Sequence, residues 1–493
     1  MKNPIVIVVL AAALAALGCT ARTARVSAID RLESCTDESS PSDAYCGTLE
    51  VFENRKTKQG RKIKLKIVVA PALKRDSAPD PLFVLAGGPG QGAAKMSRAF
   101  REIFTRVQQD RDVVLVDQRG TGDSNPLNCE AKEQSLIDLT RSDVFPEQLF
   151  RDCLKKYDAD PSLYTTPIAM DDLDDVRAFL GYRSINLYGG SYGTRAALVY
   201  LRRHPRHTRS IVLDGVAPPD MRLPLYAARD SQRALEKLLA DCEADAACRA
   251  KFPALSMKLK ALLERLENNP ARVELTHPRT GVREPVNISR ALASGVIMSA
   301  LYSPTLSSLL PMTIQQAHDG NFQGLLTLGF AFEALGEGMS TGMRLSVLCA
   351  EDIPRFTEAD AAREVGGSFL GRLWAESFRK PCEFWPKGEI PEDYYKPVES
   401  DVPALILSGD LDPITPPSWG DHVAAWLPNS RHIKITGLGH GTITQGCVPQ
   451  LVKQFLNEGA AAGLDTACLK PLKRPPFFVT HAGPDFAAGA AKQ

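Results

Sequence analysis

The residues best placed to do chemistry are Asn186-Leu187-Tyr188-Gly189-Gly190-Ser191-Tyr192-Gly193. Gly-x-Ser-x-Gly says little by itself, because glycine is common. Here an apolar run precedes it and a helical stretch, Thr194 to Arg203, follows it. That is the strand–turn–helix context in which a serine sits on a strained turn and serves as a nucleophile. The N-terminus of the following helix favours developing negative charge. Such a serine attacks an acyl carbon; it needs a base, and the base needs an orienting acid.

In the chain order serine, acid, histidine, both partners come after Ser191. Two acids stand in Ser408-Gly409-Asp410-Leu411-Asp412-Pro413-Ile414-Thr415-Pro416. Asp412, in the turn before Pro413, is preferred to Asp410 as the orienter. Only His422, His432, His440 and His481 lie further along. His422 falls on a helical stretch, His432 opens a strand-like run and His481 belongs to the tail. His440, in Gly437-Leu438-Gly439-His440-Gly441, occupies a loop just past the last strand, from which an imidazole can reach back over a sheet edge. An oxyanion also needs donors. Ala86-Gly87-Gly88-Pro89-Gly90 follows an earlier apolar run, and Pro89 has no N–H, so the amides of Gly88 and Tyr192 are the expected pair. No metal and no organic cofactor is implied.

The elements that must carry these residues follow from hydropathy. Thr48 to Phe52 and Ile63 to Val69 alternate apolar with polar residues, as a half-exposed antiparallel hairpin does. Leu82-Phe83-Val84-Leu85, Val113 to Val116, Ile185 to Tyr188 and Ile211 to Leu213 are short and nearly continuous in apolar residues, with helical stretches such as Met170 to Leu180 between them. That rhythm predicts a parallel sheet buried on both faces. It stops after Pro218-Pro219 for about 180 residues, where 225–268 and 286–335 read as helical. It resumes at Val402 to Leu407 and His432 to Ile435, and a last helix is expected over Val448 to Asn457. The expected divisions are 1–18, a leader; 19–46, an irregular lead-in; 47–217, the first part of the α/β core; 218–398, a helical insertion; 399–470, the second part of the core; and 471–493, a Pro-containing tail.

Composition bounds the partners. The chain has 493 residues, 44% hydrophobic and 24% charged, with 59 Lys and Arg against 58 Asp and Glu. Nothing there suggests a disordered or fibrous chain, and without a basic stripe no nucleic-acid partner is expected. Met1-Lys2 followed by the apolar run Ile5 to Leu17 has signal-peptide length, too short to span a bilayer. Ala15-Ala16-Leu17-Gly18-Cys19 resembles a bacterial lipobox, which implies cleavage before Cys19 and lipidation of that residue. With Thr20 next, the expected location is the periplasmic side of the outer membrane, the body held only by its N-terminal lipid. Of eleven cysteines, ten remain after Cys19. An even number in an exported chain reads as disulfides, expected between sequential neighbours from Cys35–Cys46 to Cys447–Cys468.

Taken together, these motifs resemble the α/β-hydrolase fold and, more narrowly, the serine peptidase family of prolyl and tripeptidyl aminopeptidases. The matching pieces are Gly87-Gly88-Pro89-Gly90, Asp117-Gln118-Arg119-Gly120-Thr121-Gly122-Asp123-Ser124, Asp172 to Arg177, Gly189 to Thr194, Leu213-Asp214-Gly215 and Asp412 to Pro416. The likeness runs from about residue 47 to 460. Ala86 stands where family members usually have His, so no role is carried to that position. The resemblance implies an α/β sheet with an inserted helical cap and a triad of Ser191, Asp412 and His440. Its substrates would be short peptides, cleaved from a free N-terminus. Cap carboxylates would hold the substrate amine, with Glu351 and Asp352 the candidates and Glu333 and Glu337 weaker ones. Asp117 and Arg119 read as a structural turn, and Asp171 to Asp175 as favourable charge at a helix N-terminus. A carboxylesterase or lipase on the same triad is the alternative, and a catalytically silent envelope lipoprotein the remaining one.

Overall fold

Every side chain of Leu82–Leu85 is buried, and successive residues face opposite layers. Phe83 and Leu85 join one apolar cluster with Leu187, Ala196 and Leu213, whereas Leu82 and Val84 join another with Leu115, Val212 and Phe455. A strand covered on both faces has no polar alternation, which is why these runs read as continuously apolar.

The computed structural model describes residues 28–37, 39–128, 147–278, 280–333, 338–371 and 377–484. The leader and Cys19 lie outside the described residues, as do Cys129 and Glu337. The strands are β1 (Glu33–Ser34), β2 (Tyr45–Phe52), β3 (Lys62–Ala70), β4 (Leu82–Leu85), β5 (Val113–Val116) and β6 (Ile185–Gly190). They continue with β7 (Thr208–Asp214), β8 (Ala271–Thr276), β9 (Arg283–Ile288), β10 (Ala404–Gly409) and β11 (Ser430–Ile435). Nine form one sheet in the order β1-β2-β3-β5-β4-β6-β7-β10-β11. The hairpin β2–β3 and the joins β1–β2 and β3–β5 are antiparallel, and every pairing from β5 to β11 is parallel. The carboxyl ends of β4, β6, β7, β10 and β11 therefore share one edge, where open α/β sheets place their ligands.

After Asp214 the chain leaves this sheet and returns only at Ala404. The intervening helices include Ala227–Ala244, Leu255–Asn268, Arg290–Leu301 and Leu310–His318, and they enclose a separate apolar cluster. Leu255, Leu259, Leu262, Leu263 and Leu266 are the buried stripe of one of them, spaced as an amphipathic helix requires.

Two elements differ from expectation. β8 and β9 pair as an antiparallel ribbon inside the helical stretch, with Leu275 buried in the first strand, Val286 and Ile288 in the second, and Pro285 beside them. So little of it is buried that its apolar pattern is weak. The lead-in also contributes β1, an edge strand beside β2, and the adjacent Cys35–Cys46 disulfide fastens it. The other expected neighbour pairs seen are Cys242–Cys248, Cys349–Cys382 and Cys447–Cys468, and Cys153 is disulfide-bonded as well. No helix among the described residues is long and apolar enough to cross a membrane.

Candidate active site

Strand β6 ends at Gly190 and the helix Tyr192–Arg203 begins two residues later, leaving Ser191 alone to turn the chain. It does so at φ 57° and ψ −124°, a conformation that costs a non-glycine residue about 1–3 kcal/mol. The two flanking glycines make the turn possible. A Cβ on Gly189 would lie 2.2 Å from the Gly193 carbonyl oxygen, and one on Gly193 would lie 2.2 Å from that of Leu85. Thr194 braces the turn: its hydroxyl donates to the Ser191 carbonyl at 2.6 Å and accepts from the Ala217 amide at 2.8 Å. The glycine turn after β4 lies directly against the serine, since a Cβ on Gly87 would be 3.3 Å from Ser191 Cβ. The turn that carries Gly88 is thus packed on the turn that carries Ser191 and Tyr192.

Asp412 and His440 meet across two other loops of the same edge. His440 Nδ1 lies 2.8 Å from Asp412 Oδ2 and 3.0 Å from Thr415 Oγ1. Asp412 also accepts the amides of Ile414 and Thr415 at 2.9 and 2.8 Å and the Thr415 hydroxyl at 2.7 Å. Burial opposes the Asp412 charge, but His440 and these donors outweigh it and hold the carboxyl below its ordinary range. An ionised carboxylate can only accept, so Nδ1 carries the imidazole proton and Nε2 is the basic nitrogen. Asp410 instead accepts the Gly437 amide at 2.8 Å. His422 pairs with Asp220, and His432 with Asp421 and Ser408, away from this pair.

The serine and histidine loops converge on Asp214 and Gly215, at the end of β7. The Ser191 amide donates to the Asp214 carbonyl at 2.9 Å, and a Cβ on Gly215 would be 3.3 Å from His440 Cε1. The buried Asp214 carboxylate accepts the Thr442 amide and hydroxyl, the Ile443 amide and the Tyr188 hydroxyl. It thereby anchors the chain two residues beyond His440. The motif Leu213-Asp214-Gly215 is visible in the sequence, but nothing there assigns it this task. On the other side of the imidazole stands Tyr302, from the helical insertion. Its carbonyl accepts the His440 amide at 3.0 Å and its ring meets the imidazole edge-on, with centroids 5.1 Å apart.

The expected amine-binding pair has another occupation. Glu351 and Asp352 have no solvent exposure. They lie in a π turn, Leu348–Asp352, that continues the helix Thr341–Val347. Asp352 binds the buried Arg195 through both oxygens at 2.8 and 3.0 Å and accepts the Leu223 amide at 2.9 Å. Glu351 accepts the Thr166 amide and hydroxyl at 2.7 and 2.9 Å and the Tyr394 hydroxyl. Carboxylates saturated in this way present no open face to a substrate ammonium, so the expectation is corrected. The Glu333 side chain, like Glu337, is outside the described residues.

Two further expectations concern support. Arg119 is fully buried and clasps Asp172 at 2.6 and 2.9 Å, while Asp117 accepts the Lys95 and Asp123 amides, its pKa pushed up to about 6 by burial. Both hold the turn after β5. Asp171 to Asp175 lie inside the helix Thr166–Phe179 rather than at its start, because that helix begins five residues before Asp171. Asp171, Asp172 and Asp174 pair there with Arg203, Arg119 and Arg177.

The chain has the α/β-hydrolase fold and is a serine hydrolase. The family model for the alpha/beta hydrolase fold matches residues 80–295, and the model for TAP-like protein matches 367–468. The chain is 26% identical to a serine protease, Hip1, of Mycobacterium tuberculosis over 87% of its own length and 88% of that protein. It is 25% identical to a tripeptidyl aminopeptidase of Streptomyces coelicolor, with 91% and 87% covered. A solved proline iminopeptidase from Mycobacterium smegmatis superposes with a TM-score of 0.42 at 16% identity, covering 84% of this chain and 98% of the other.

Proposed function

We propose that the protein is an exported serine exopeptidase that releases short pieces from the free N-terminus of peptides, in the manner of a prolyl or tripeptidyl aminopeptidase. The observation that carries this reading is the alignment over about nine-tenths of the chain with proteins named serine protease and tripeptidyl aminopeptidase. In this mechanism Ser191 Oγ attacks the scissile carbonyl while His440 Nε2 takes its proton, and Asp412 stabilises the imidazolium. The amides of Gly88 and Tyr192 receive the oxyanion. Collapse of the tetrahedral intermediate expels the amine with the proton from His440. Water, activated by the same histidine, then releases the acyl group from Ser191.

The helical insertion supports a preference for short substrates. It reaches the site at two points, where Tyr302 packs on His440 and where the Ser340 amide donates to the Gly90 carbonyl at 2.9 Å. Export and lipidation at Cys19 are inferred from the leader, and the disulfides support an oxidising compartment. Replacing Cys19 with Ala should move the protein from the membrane fraction to the soluble one.

The test is fluorophore release from Pro-, Ala- and tripeptide-aminomethylcoumarins, their N-acetylated twins and a short p-nitrophenyl ester, with wild type and Ser191→Ala. Turnover confined to free-amine peptides and lost in the variant is expected. Ester turnover without amide turnover would make the enzyme an esterase. A wild type that neither turns over any substrate nor takes a fluorophosphonate label on Ser191 would make it a silent binding protein.

A further inference from the structure

Buried arginines in this molecule are answered by acids: Arg119 by Asp172, Arg195 by Asp352 and Arg111 by Asp80. Arg344, partly buried on the helix Thr341–Val347, is not. Among the described residues no carboxylate lies within ion-pair distance of it; its guanidinium meets the Met339 sulfur at 3.9 Å and the Phe378 ring at 5.1 Å. Its Nε is buried without a hydrogen-bond partner. A guanidinium keeps its proton under all ordinary conditions, so this is a standing positive charge without a counter-ion among the described residues. The residue as a whole keeps some contact with solvent.

One helical turn earlier lies a second orphan. Ser340 is fully buried, and its hydroxyl has no partner although it stands at the helix N-cap. Residues four apart share a helix face, so Ser340 and Arg344 lie on one side of this helix. Ser340 ties that side to the catalytic centre. The Ser340 amide donates to Gly90, in the turn that carries Gly88, and Met339 Cγ would be 3.2 Å from a Cβ on Gly90.

A planar fork of N–H donors is complementary to a carboxylate. We propose that Arg344 forms a carboxylate-binding subsite, through which the enzyme selects substrates with a carboxylate close to the scissile bond. This rests on Ser191 and His440 being the catalytic pair. Two sources supply the same chemistry: the C-terminal carboxylate of a short peptide and an Asp or Glu side chain. By like-charge repulsion, a substrate ammonium must lie elsewhere in the cleft.

The experiment compares kcat/KM for two matched pairs of short peptides, free acid against C-terminal amide and Glu against Gln at one position. A charge-assisted bidentate contact should favour the carboxylate member of one pair by about tenfold or more, and the pair that responds identifies the source. In Arg344→Met that ratio should fall to about one; being a ratio within one variant, it is insensitive to general loss of activity. Arg344→Lys keeps the charge without the fork, should retain only part of the ratio, and decides the matter if the Met variant does not fold. No discrimination by wild type in either pair, or a ratio unchanged in these variants, overturns the subsite. A neutral p-nitrophenyl ester run beside them tests the catalytic pair separately: turnover that persists in Ser191→Ala would sink that reading instead.

Discussion

The Ser191 amide donates to the Asp214 carbonyl at 2.9 Å, while the Asp214 carboxylate holds the amides of Thr442 and Ile443 just beyond His440. One residue at the end of β7 therefore sets Ser191 and His440 relative to each other, through separate groups. Asp214→Asn keeps the backbone contact but turns an NH2 toward amides that need an acceptor. It should lower kcat/KM on a neutral ester by about tenfold and stability by about 1–3 kcal/mol. Steady-state kinetics with a urea melt checks this; unchanged kinetics would show that the His440 loop holds itself.

The pH dependence follows from the same contacts. Burial alone would lower the His440 pKa, but Asp412, with Asp214 behind it, raises it above the ordinary 6.5. The base must be neutral to accept a proton from Ser191, so activity should fall as pH drops through a midpoint above 6.5. Asp412, held low, stays ionised throughout. A kcat/KM profile from about pH 5 to 9 reads the limb, which should move to lower pH in Asp214→Asn. A wild-type midpoint at or below 6.5 would contradict the assignment.

Asp412→Asn should cost on the order of ten-thousandfold in kcat, because an amide no longer imposes the Nδ1–H tautomer that leaves Nε2 free. Asp410→Asn should change kcat only slightly, since Asp410 holds Gly437 rather than His440. Comparable losses in both variants would mean that the acid has been wrongly assigned.

Glycine substitutions should separate by location. Gly193→Ala puts a methyl 2.2 Å from the Leu85 carbonyl in a central strand, where neither backbone can yield. It should destabilise the fold by about 1–3 kcal/mol and displace Ser191. Gly295, in the helix Arg290–Leu301, would have nothing within 4 Å of an added methyl. Gly295→Ala should stabilise by about 0.5–1 kcal/mol through the better helix propensity. Thermal and urea melts of the two variants provide the comparison.

Arg195→Met would leave Glu351 and Asp352 buried without their cation, at a cost of about 3–5 kcal/mol. Burial already raises both carboxyl pKa values, against the opposing pull of Arg195. Without it they rise further, so the folded variant binds protons more readily than the unfolded chain. Its stability should accordingly fall as pH rises from about 4 toward neutrality. Urea midpoints at acidic and neutral pH would show it, and equal midpoints would argue that the remaining donors keep both carboxylates ionised without Arg195.

Much of the site is legible in the order of residues alone. Ser191 between two glycines, His440 in a loop past the last strand and Asp412 before a proline are local patterns, set by turn sterics and hydropathy that act over a few residues. The strands are legible for the same reason, because burial on both faces leaves Leu82 to Leu85 and Val113 to Val116 continuously apolar. The β8–β9 ribbon is not, because it buries too little to leave a pattern. Nor is the work of Glu351 and Asp352, which appear in sequence as an acidic pair. Only tertiary packing seals them against Arg195, whose place in the chain is more than 150 residues away. The same holds for Arg344, an arginine like any other in sequence until the fold sets it against Met339 and Phe378 and supplies no acid among the described residues. Local chemistry is written in neighbouring residues; the charge state, partners and accessibility of a side chain depend on which distant segments enclose it, and those only the folded chain brings together.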